Sequence, residues 1–445
     1  MVRGGTEVAK YKIFTFGCQM NVHDSEVIAG LLRQLGYEEA DDLTEANLLI
    51  FNTCCVRENP ERKVFGRVGN LQRLKEENPK LIIAICGCMV QQPEQLERIR
   101  KELPHVNLVF GTHNIHRLPE LLAQVKDTGE QLFEVWDTEG SIVEGLPAAR
   151  LDGLKAFVNV IYGCTNFCTY CIVPYVRGQE RSRKPKAIRR EIEGLAAQGY
   201  KEVTLLGQNV NAYGKDLDEA VTFADLLRML DGTGGIERIR FTTSHPRDMS
   251  DDLIGAMGDL DTVCEHLHLP LQAGSNRILN RMNRGYTKEQ YISLVDRIRK
   301  RIPHIALTTD LIVGFPGETE EDFEQTLQVV EEIGPDSAFT FIYSPRPGTV
   351  AAKMEDQVPE EVKRDRIYRL IELQNRLSLQ RNHSLVGSIQ EVLIEGPSQT
   401  DPGKYTGRTR GNKLVIFTGP ADRGLLMPIR ITEAQTWSLH GELMP

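Results

Sequence analysis

Three cysteines in one short stretch carry the clearest chemical signal in the sequence. Cys164, Cys168 and Cys171 have the spacing CxxxCxxC and directly follow a predicted strand. Thiolates are soft ligands that bind zinc or iron–sulfur clusters, and a loop of this length can bring three of them onto one metal centre. Zinc sites and cubane clusters normally use four ligands, and no fourth Cys or His lies nearby in the sequence. The spacing therefore predicts a metal centre with one open position. A zinc knuckle and ordinary packing of the thiols are the alternatives.

Three further cysteines are far apart in the sequence, but each follows a predicted strand of the N-terminal region. Cys18 lies in FGCQMN, Cys54 in FNTCCVRE and Cys88 in CGCMVQ. Because the ends of parallel strands meet at one edge of a sheet, the three side chains can converge there. Three unrelated buried thiols are the alternative. Neighbouring Cys55 and Cys86 leave two choices open, Cys54 or Cys55 and Cys86 or Cys88. For the first choice, successive residues of an extended strand point in opposite directions, so only one of the two need face the cluster.

The elements that must position these cysteines begin with an N-terminal domain, which we place at residues 1–150. Short apolar runs alternate with amphipathic helical patterns, which predicts a doubly wound parallel α/β domain. The segment 127–152, at the end of this domain, is weakly patterned, and we expect it to contain a linker. The expected strands are residues 11–16, 48–51, 81–85 and 107–110.

A second strand–helix series predicts a central domain at residues 151–383. Six strand–helix units indicate a partial (β/α)6 barrel of the TIM type, whose strand ends carry the chemistry. A charged helical pattern from Pro359 to Arg381 follows, and short strands then predict a small all-β barrel at 384–445. The six central strands are expected at residues 156–163, 202–207, 238–243, 266–271, 306–314 and 337–344.

Composition limits the class of protein. The 445 residues include 53 Lys and Arg against 62 Asp and Glu, a formal net charge of −9. An acidic chain is not a general nucleic-acid binder, so any RNA contact must come from local basic patches. Nine cysteines in a chain of this length argue against a disulfide framework. No apolar run reaches the ~18 residues of a membrane span, and the first residues lack the apolar core of a secretion signal. We therefore expect a cytoplasmic protein.

The stretch AFVNVIYGCTNFCTYCIVPYVRGQERSR resembles the cluster loop of radical S-adenosylmethionine (SAM) enzymes, and most closely that of the methylthiotransferases. The resemblance implies a [4Fe–4S] cluster on Cys164, Cys168 and Cys171, whose fourth iron binds SAM. By residue match it implies a second [4Fe–4S] cluster on Cys18, Cys54 and Cys88, which holds the sulfur to be transferred. It covers nearly the whole chain, and the C-terminal barrel resembles the TRAM domain, an RNA-binding module.

Within that family, FGCQMN, NTCCVRE, LLGQNVNAY and FTTSHP are similar to the branch that acts on prenylated tRNA. This implies addition of a methylthio group to carbon 2 of N(6)-dimethylallyladenosine at position 37, next to the anticodon, with SAM as both methyl donor and radical source. The implied partners are tRNA, a one-electron donor such as flavodoxin or ferredoxin, and a sulfur donor. Threonylcarbamoyl-adenosine tRNA, a ribosomal-protein side chain, and a zinc-stabilised RNA-binding protein without catalysis are the alternatives. No catalytic acid or base is assigned.

Two further groups of residues are expected to bind the cofactor and the RNA, with a structural role as the alternative for each. Polar residues at predicted strand ends and the glycine-rich turn GFPGET are expected to bind SAM. These are Asn209, Ser244, Gln272, Arg284, Asp310, Gly314 and Gly317. Basic and aromatic residues after the cluster loop and in the C-terminal barrel are expected to contact RNA. These are Arg177, Arg181, Arg183, Lys184, Tyr405, Arg408 and Arg410.

Overall fold

The computed structural model describes residues 8–55, 58–399, 401 and 403–444. The first seven residues, which entered the prediction about a secretion signal, and Val56 and Arg57 of the FNTCCVRE motif lie outside the described residues. The chain forms two compact units. The first consists of the chain up to Leu151 together with Tyr162–Thr165 and Cys171–Arg183. The second consists of Asp152–Ile161, Asn166–Tyr170 and the chain from Lys184 onward.

The first unit is built on a six-stranded sheet whose paired strands are all parallel. In chain order the strands are β1 (Lys10–Phe16), β2 (Glu38–Glu39), β3 (Leu48–Thr53), β4 (Ile82–Gly87), β5 (Leu108–Phe110) and β6 (Leu132–Glu134). Their spatial order is β2-β1-β3-β4-β5-β6. The strand order reverses between β1 and β3, and such a switch point is where open α/β sheets build their sites.

Helices cover both faces of this sheet, which confirms the predicted doubly wound architecture. They are α1 (Gln19–Gln34), α2 (Glu58–Gly69), α3 (Gln72–Glu77), α4 (Pro93–Glu102), α5 (Leu118–Thr128) and the short α6 (Val173–Arg177). Successive side chains of β3 point to opposite faces of the sheet. Ile50 packs in one core with Leu32 of α1, whereas Phe51 packs in a second core with Val64 of α2.

The sequence patterns missed the two edge strands of this sheet. β2 is only two residues long, and β6 has three and lies inside the segment predicted to contain a linker. Neither offers an apolar run long enough to be distinguished from a loop. The register pairs Leu132 of β6 with Leu108 of β5, so the segment after α5 adds a strand before it leaves the sheet.

The second unit contains the six parallel strands of the predicted partial barrel. They are β7 (Lys155–Asn159), β10 (Glu202–Leu206), β11 (Arg238–Thr242), β12 (His266–His268), β13 (Ala306–Val313) and β14 (Ser337–Ile342), while β8 (Ile161–Tyr162) and β9 (Arg181–Ser182) are two-residue strands beside the cluster loop. The six parallel strands form two three-stranded sheets, β11-β10-β7 and β12-β13-β14. An isolated parallel bridge between Ile239 and Val263 continues the order from one sheet to the next.

Helices alternate with these strands, as expected for a barrel of strand–helix units. They are α7 (Pro185–Ala197), α8 (Phe223–Leu230), α9 (Asp251–Asp259), α10 (Asn276–Arg281), α11 (Lys288–Arg301), α12 (Glu320–Ile333) and α13 (Glu360–His383). Three of them, α8, α11 and α12, begin with a capping box in which a threonine and the residue three positions later exchange hydrogen bonds. Within the described part of the chain, no helix is long and apolar enough to cross a membrane.

The C-terminal segment closes into a five-stranded barrel in the order β15-β16-β17-β19-β18. Its strands are β15 (Ile389–Pro397), β16 (Lys404–Thr409), β17 (Leu414–Thr418), β18 (Leu426–Ala434) and β19 (Leu439–Leu443). Within the second unit, buried Arg238 of β11 donates to the carbonyl oxygens of Arg408 (2.6 Å) and Glu391 (3.0 Å). Arg240 donates to the carbonyl oxygen of Thr409 at 2.8 Å. These hydrogen bonds attach the small barrel to the central sheet.

Candidate functional site

In the first unit, three of the predicted cysteines lie at one edge of the sheet. Cys18 is the residue before α1, Cys54 follows β3 and Cys88 follows β4. The backbone N–H of Cys54 donates to the carbonyl oxygen of Phe16 at 2.7 Å, which brings the ends of β1 and β3 together. Cys18 is exposed, whereas Cys54 and Cys88 are buried. The convergence expected from the strand order is thus present at the backbone level.

A buried pair of asparagines fixes this edge, and the sequence analysis did not single it out. The side chain of Asn21 donates to Oδ1 of Asn52 at 3.0 Å, and Asn52 donates back to the carbonyl oxygen of Asn21 at 2.8 Å. The thiol of Cys18 faces Oδ1 of Asn21 at 3.4 Å. The pair therefore joins the first turn of α1 to the end of β3. Both residues belong to the quoted motifs FGCQMN and FNTCC, which is the signal that could have found them.

The thiols at this edge are hydrogen-bonded in two pairs, Cys18 with Cys54 and Cys55 with Cys88. A hydrogen bond from Cys54, together with the charge of Arg177, lowers the pKa of Cys18 from 9.0 to about 6. A hydrogen bond from Cys55 lowers the pKa of Cys88, while the same bond and burial raise the pKa of Cys55 well above its usual value. We call Cys18, Cys54, Cys55 and Cys88 the auxiliary thiols. Thiolate character, which metal ligation requires, is thus favoured at Cys18 and Cys88.

Cys86 has different surroundings from Cys88, although it is two residues away. Cys86 is fully buried in the apolar core that contains Leu108 and Phe110, and burial raises the pKa of its thiol well above its usual value. Cys88 instead contacts Cys55, Ile172 and Val176. The geometry therefore distinguishes two cysteines that the sequence left as alternatives.

A cation from the segment after the CxxxCxxC motif reaches the auxiliary thiols within the first unit. The Nε of Arg177 donates to Sγ of Cys88 at 3.1 Å, and its Nη2 forms an ion pair of 2.7 Å with Asp24. The Arg177 side chain is only 5% exposed. Although its burial acts in the opposite direction, the charges of Asp24, Cys88 and Cys18 raise the pKa of Arg177 well above its usual value.

The cluster loop itself, Cys164–Cys171, is divided between the two units. In the first unit, the backbone N–H of Cys164 donates to the carbonyl oxygen of Gly178 at 3.0 Å. In the second unit, Arg284 lies 3.3 Å from Sγ of Cys168 and donates to the carbonyl oxygen of Pro270 at 3.0 Å. Cys164 and Cys168 are buried and Cys171 is half-buried.

Backbone strain in the second unit concentrates near the predicted cofactor residues. Non-glycine residues with positive φ include Phe167 in the cluster loop, Thr243 just before Ser244, Gln272 after β12 and Asn283 just before Arg284. Such conformations cost on the order of 1–3 kcal/mol each and cluster at ligand sites. The side chain of Asn283 donates to the carbonyl oxygen of Phe167 at 3.1 Å, so two of these strained positions support each other.

The end of β11 carries polar atoms whose hydrogen-bonding capacity is unused within the described residues. There, the buried Ser244 Oγ and His245 Nε2 have no hydrogen-bond partner. Buried polar atoms normally find a partner, so such atoms in a site suit a polar ligand. Asn209 is already engaged, because its side chain donates to Asp248 at 2.7 Å. Ser244 and His245 are thus better placed than Asn209 to receive a ligand.

Four other expected cofactor residues, Gln272, Asp310, Gly314 and Gly317, lie against other parts of the chain. Asp310 lies 3.5 Å from Nε2 of His268, and its carbonyl oxygen accepts from the backbone of Gln272. A side chain at Gly314 would collide with Lys363, and one at Gly317 would collide with Asp356. The two glycines therefore make room for Lys363 and Asp356. This supports the structural role of the GFPGET turn, which was the alternative to SAM binding.

The residues expected to contact RNA fall into buried and accessible groups. Arg177 and Arg183 are buried and paired with carboxylates, Arg183 with Glu144 at 2.6 Å, so they do not belong to an exposed basic patch. Arg181 is half-buried and donates to the carbonyl oxygen of Gly140. Lys184 is exposed, as are Lys186, Arg189 and Arg190 on the same stretch.

In the small barrel, Arg410 is held by Glu265 at 2.6 Å. Arg408 lies 3.3 Å from Glu395. Tyr405 is half-buried, with its ring 6.0 Å from that of Phe417.

The soft thiol donors at this edge suit ligation of an iron–sulfur cluster. Among the residues that the structure describes, no group of three or more His, Cys, Asp or Glu side chains could hold one ion. A cubane does not require such convergence, because each cysteine binds a different iron. The lowered pKa values of the Cys18 and Cys88 thiols fit thiolate ligation of a cluster.

Comparison with known proteins defines the class. The Radical SAM superfamily model matches residues 158–330, the model of uncharacterized protein family UPF0004 matches residues 10–111, and the TRAM domain model matches residues 383–444. The fold agrees with a solved radical SAM methyltransferase, TsrM from Kitasatospora setae, which is 15% identical with a TM-score of 0.54. That match covers 78% of this chain and 74% of the other. The chain therefore contains a radical SAM domain.

Curated relatives identify the family within that class. The tRNA-2-methylthio-N(6)-dimethylallyladenosine synthase of Acetivibrio thermocellus is 58% identical over 98% of this chain and 91% of the relative. The protein of the same name from Alkaliphilus oremlandii is 57% identical over 98% and 93%, respectively. The chain belongs to the tRNA-2-methylthio-N(6)-dimethylallyladenosine synthase family.

Proposed function

We propose that this protein adds a methylthio group to carbon 2 of N(6)-dimethylallyladenosine at position 37 of tRNA, with SAM as methyl donor and radical source. Family membership supports the reaction. The structural observation that carries the proposal is the gathering of Cys18, Cys54 and Cys88 at one sheet edge, because a second cluster there would hold the sulfur to be transferred. The cofactors are two [4Fe–4S] clusters and SAM.

The proposed ligands of the first cluster are Cys164, Cys168 and Cys171, and those of the auxiliary cluster are Cys18, Cys54 and Cys88. Lowered pKa values at Cys18 and Cys88 support two of the auxiliary ligands. Cys54 is preferred over Cys55 by the motif match, and its hydrogen bond to Cys18 supports that choice, whereas a hydrogen bond to Cys88 and burial raise the pKa of the Cys55 thiol. Cys86 is set aside because it lies in the apolar core.

When bound, the cofactors supply an electron that cleaves SAM to methionine and a 5′-deoxyadenosyl radical, and a sulfur atom for transfer. The role of the chain's own residues is to bind the cofactors and to shield them from solvent. Buried Arg284 presents a permanent positive charge near Cys168, which suits the SAM carboxylate. Ser244 and His245 offer a hydroxyl and a neutral imidazole, since burial lowers the pKa of His245 to about 3. Hydrogen abstraction from carbon needs no general base, and we assign none.

The proposed macromolecular partner is the anticodon loop of tRNA. Its single-stranded bases can be exposed at little unstacking cost. The accessible cations at Lys184, Lys186, Arg189 and Arg190 suit phosphate contacts, and the small barrel suits single-stranded RNA. A reduced flavodoxin or ferredoxin is the proposed electron donor, a separate sulfur donor renews the transferred atom, and the cytoplasm is the proposed compartment.

The test is anaerobic reconstitution of the full chain, followed by reaction with SAM, a reductant and purified tRNA. Prenylated tRNA should give 5′-deoxyadenosine and a methylthiolated nucleoside, while unprenylated tRNA, threonylcarbamoyl-adenosine tRNA and ribosomes should give neither. Cys264→Ala is the matched control, because Cys264 is buried and belongs to neither proposed ligand set. It should retain activity. Product with ribosomes but not with tRNA, or zinc in place of iron, would overturn the proposal.

A further inference from the structure

One buried ion pair in the first unit touches the auxiliary thiols without belonging to them. Arg177 bridges Asp24 and Cys88, at 2.7 Å and 3.1 Å. Asp24 lies on α1, and Arg177 is the last residue of α6. Both side chains are less than 10% exposed. The contact to Cys88 is therefore screened from water and has a fixed direction.

Such a pair is costly to bury, so its position calls for an explanation. Removing two charges from water costs several kcal/mol per ion, and their attraction often no more than offsets that cost. Apolar side chains of similar size would fill the space at lower cost. Ile172 and Val176, on the same segment as Arg177, already supply apolar packing against Cys55 and Cys88. Packing therefore does not account for the guanidinium.

The geometry of the Arg177 guanidinium suits a contact to a cysteine that binds a cluster. The planar guanidinium satisfies a carboxylate with one nitrogen and directs another toward a sulfur, which a lysine ammonium cannot do with the same fixed geometry. Hydrogen bonds and charges next to the ligating sulfurs are among the features that set the reduction potential of an iron–sulfur cluster. The reduced cluster carries one more negative charge, so a fixed nearby cation stabilises it relative to the oxidised form.

We propose that Arg177 is a positioning residue of the auxiliary cluster: anchored by Asp24, it holds Cys88 in its ligating orientation and raises the reduction potential of that cluster. This inference rests on the proposed function, since it assumes a cluster on Cys18, Cys54 and Cys88. It adds a role for a residue that the sequence analysis assigned to RNA.

The test is an EPR-monitored redox titration of the auxiliary cluster in the full chain, with Cys164, Cys168 and Cys171 replaced by alanine to remove the other cluster's signal. Arg177→Met should shift the midpoint to lower potential, because the cation is lost. Asp24→Asn should shift it to higher potential, because the cation loses its counter-charge. Arg177→Lys, which keeps the charge but not the fixed geometry, should have a midpoint between those of Arg177→Met and the native chain. A purely structural role would instead lower cluster content in both Arg177→Met and Asp24→Asn, without opposite shifts in potential.

Arg150→Met is the matched control. Arg150 is equally buried in the first unit and pairs with Glu26, two residues from Asp24 on α1, at 2.8 Å. It should destabilise the fold without moving the midpoint. Equal midpoints in all variants, or shifts of the same sign in Arg177→Met and Asp24→Asn, would overturn the inference. If Arg177→Met takes up no iron, Asp24→Asn and Arg177→Lys still decide it.

The result is separable from the proposed function. A chain that binds two clusters and shows the opposite shifts, but does not modify tRNA, would support Arg177 and refute the function. A chain that modifies tRNA, but whose variants have unchanged midpoints, would support the function and refute the role of Arg177. If the alanine background binds no cluster while the native chain holds only one, the assignment of an auxiliary cluster fails, and this inference fails with it.

Discussion

The two cysteines at the end of β4 allow a matched test of ligand identity. Cys86 and Cys88 are two residues apart and almost fully buried, yet one lies in the apolar core and the other contacts Cys55 and Arg177. If Cys88 is the ligand, Cys88→Ala should reduce iron from about eight to about four per chain, whereas Cys86→Ala should keep about eight.

The energetic cost of each substitution follows from its surroundings. Cys86→Ala removes one heavy atom from a packed core, which costs ~1 kcal/mol by comparison with the loss of one methyl group. This corresponds to a fall of roughly 2–4 °C in Tm for a domain of this size. Cys88→Ala also leaves the buried Nε of Arg177 without its sulfur partner, at a cost of ~1–3 kcal/mol or more for a charged group. Both variants should therefore fold.

The assay is the iron and acid-labile sulfide content per chain after anaerobic reconstitution, with circular dichroism of the iron-free proteins to confirm folding. A folded Cys88→Ala with its full iron content, together with a Cys86→Ala that has lost half, would refute the assignment and the argument from burial behind it. Loss of all iron in Cys88→Ala would refute the independence of the two clusters.

Other predictions concern the second unit. Cys168→Ala should abolish 5′-deoxyadenosine formation yet keep about four irons per chain; retained SAM cleavage would contradict the role of this cysteine. Arg238→Met should loosen the small barrel, because Arg238 is fully buried and makes hydrogen bonds to Arg408 and Glu391, each worth ~1.5–3 kcal/mol if charge-assisted. Limited proteolysis should then cleave the barrel faster, and an unchanged rate would count against this attachment. His266 should make the fold less stable in acid. Burial lowers the pKa of His266 from 6.5 to about 3, so the stability it contributes is present above pH 6.5 and is lost as the pH falls toward 3. His266→Asn should flatten acid unfolding followed by circular dichroism over that range, and an unaltered profile would refute this.

The sequence predicted the fold to the extent that its patterns are local. The central strands of the first sheet and all six strands of the partial barrel follow from apolar runs, and the cysteines follow from strand ends. β19, which closes the small barrel between β17 and β18, has no local signal, because its sequence LHGEL has only two apolar residues. Its place is fixed by pairing with strands distant in sequence, which no local pattern reveals.

The candidate site was predicted in its ligands but not in what surrounds them. The contact between Arg177 and Asp24 joins residues 153 positions apart, and the pairing of Asn21 with Asn52 joins residues 31 apart. A run of cations after the cluster loop looks uniform in sequence, yet burial separates Arg177 from exposed Lys184. Composition cannot make that distinction, because it depends on which carboxylate the fold places opposite each cation.

The most direct test of the central claim is mass analysis of nucleosides from prenylated tRNA after reaction with SAM that is deuterated in its methyl group. The account predicts that 2-methylthio-N(6)-dimethylallyladenosine carries the intact labelled methyl group, and that 5′-deoxyadenosine is formed alongside it. Product without the label, or labelled product without 5′-deoxyadenosine, would contradict the use of SAM both as methyl donor and as radical source.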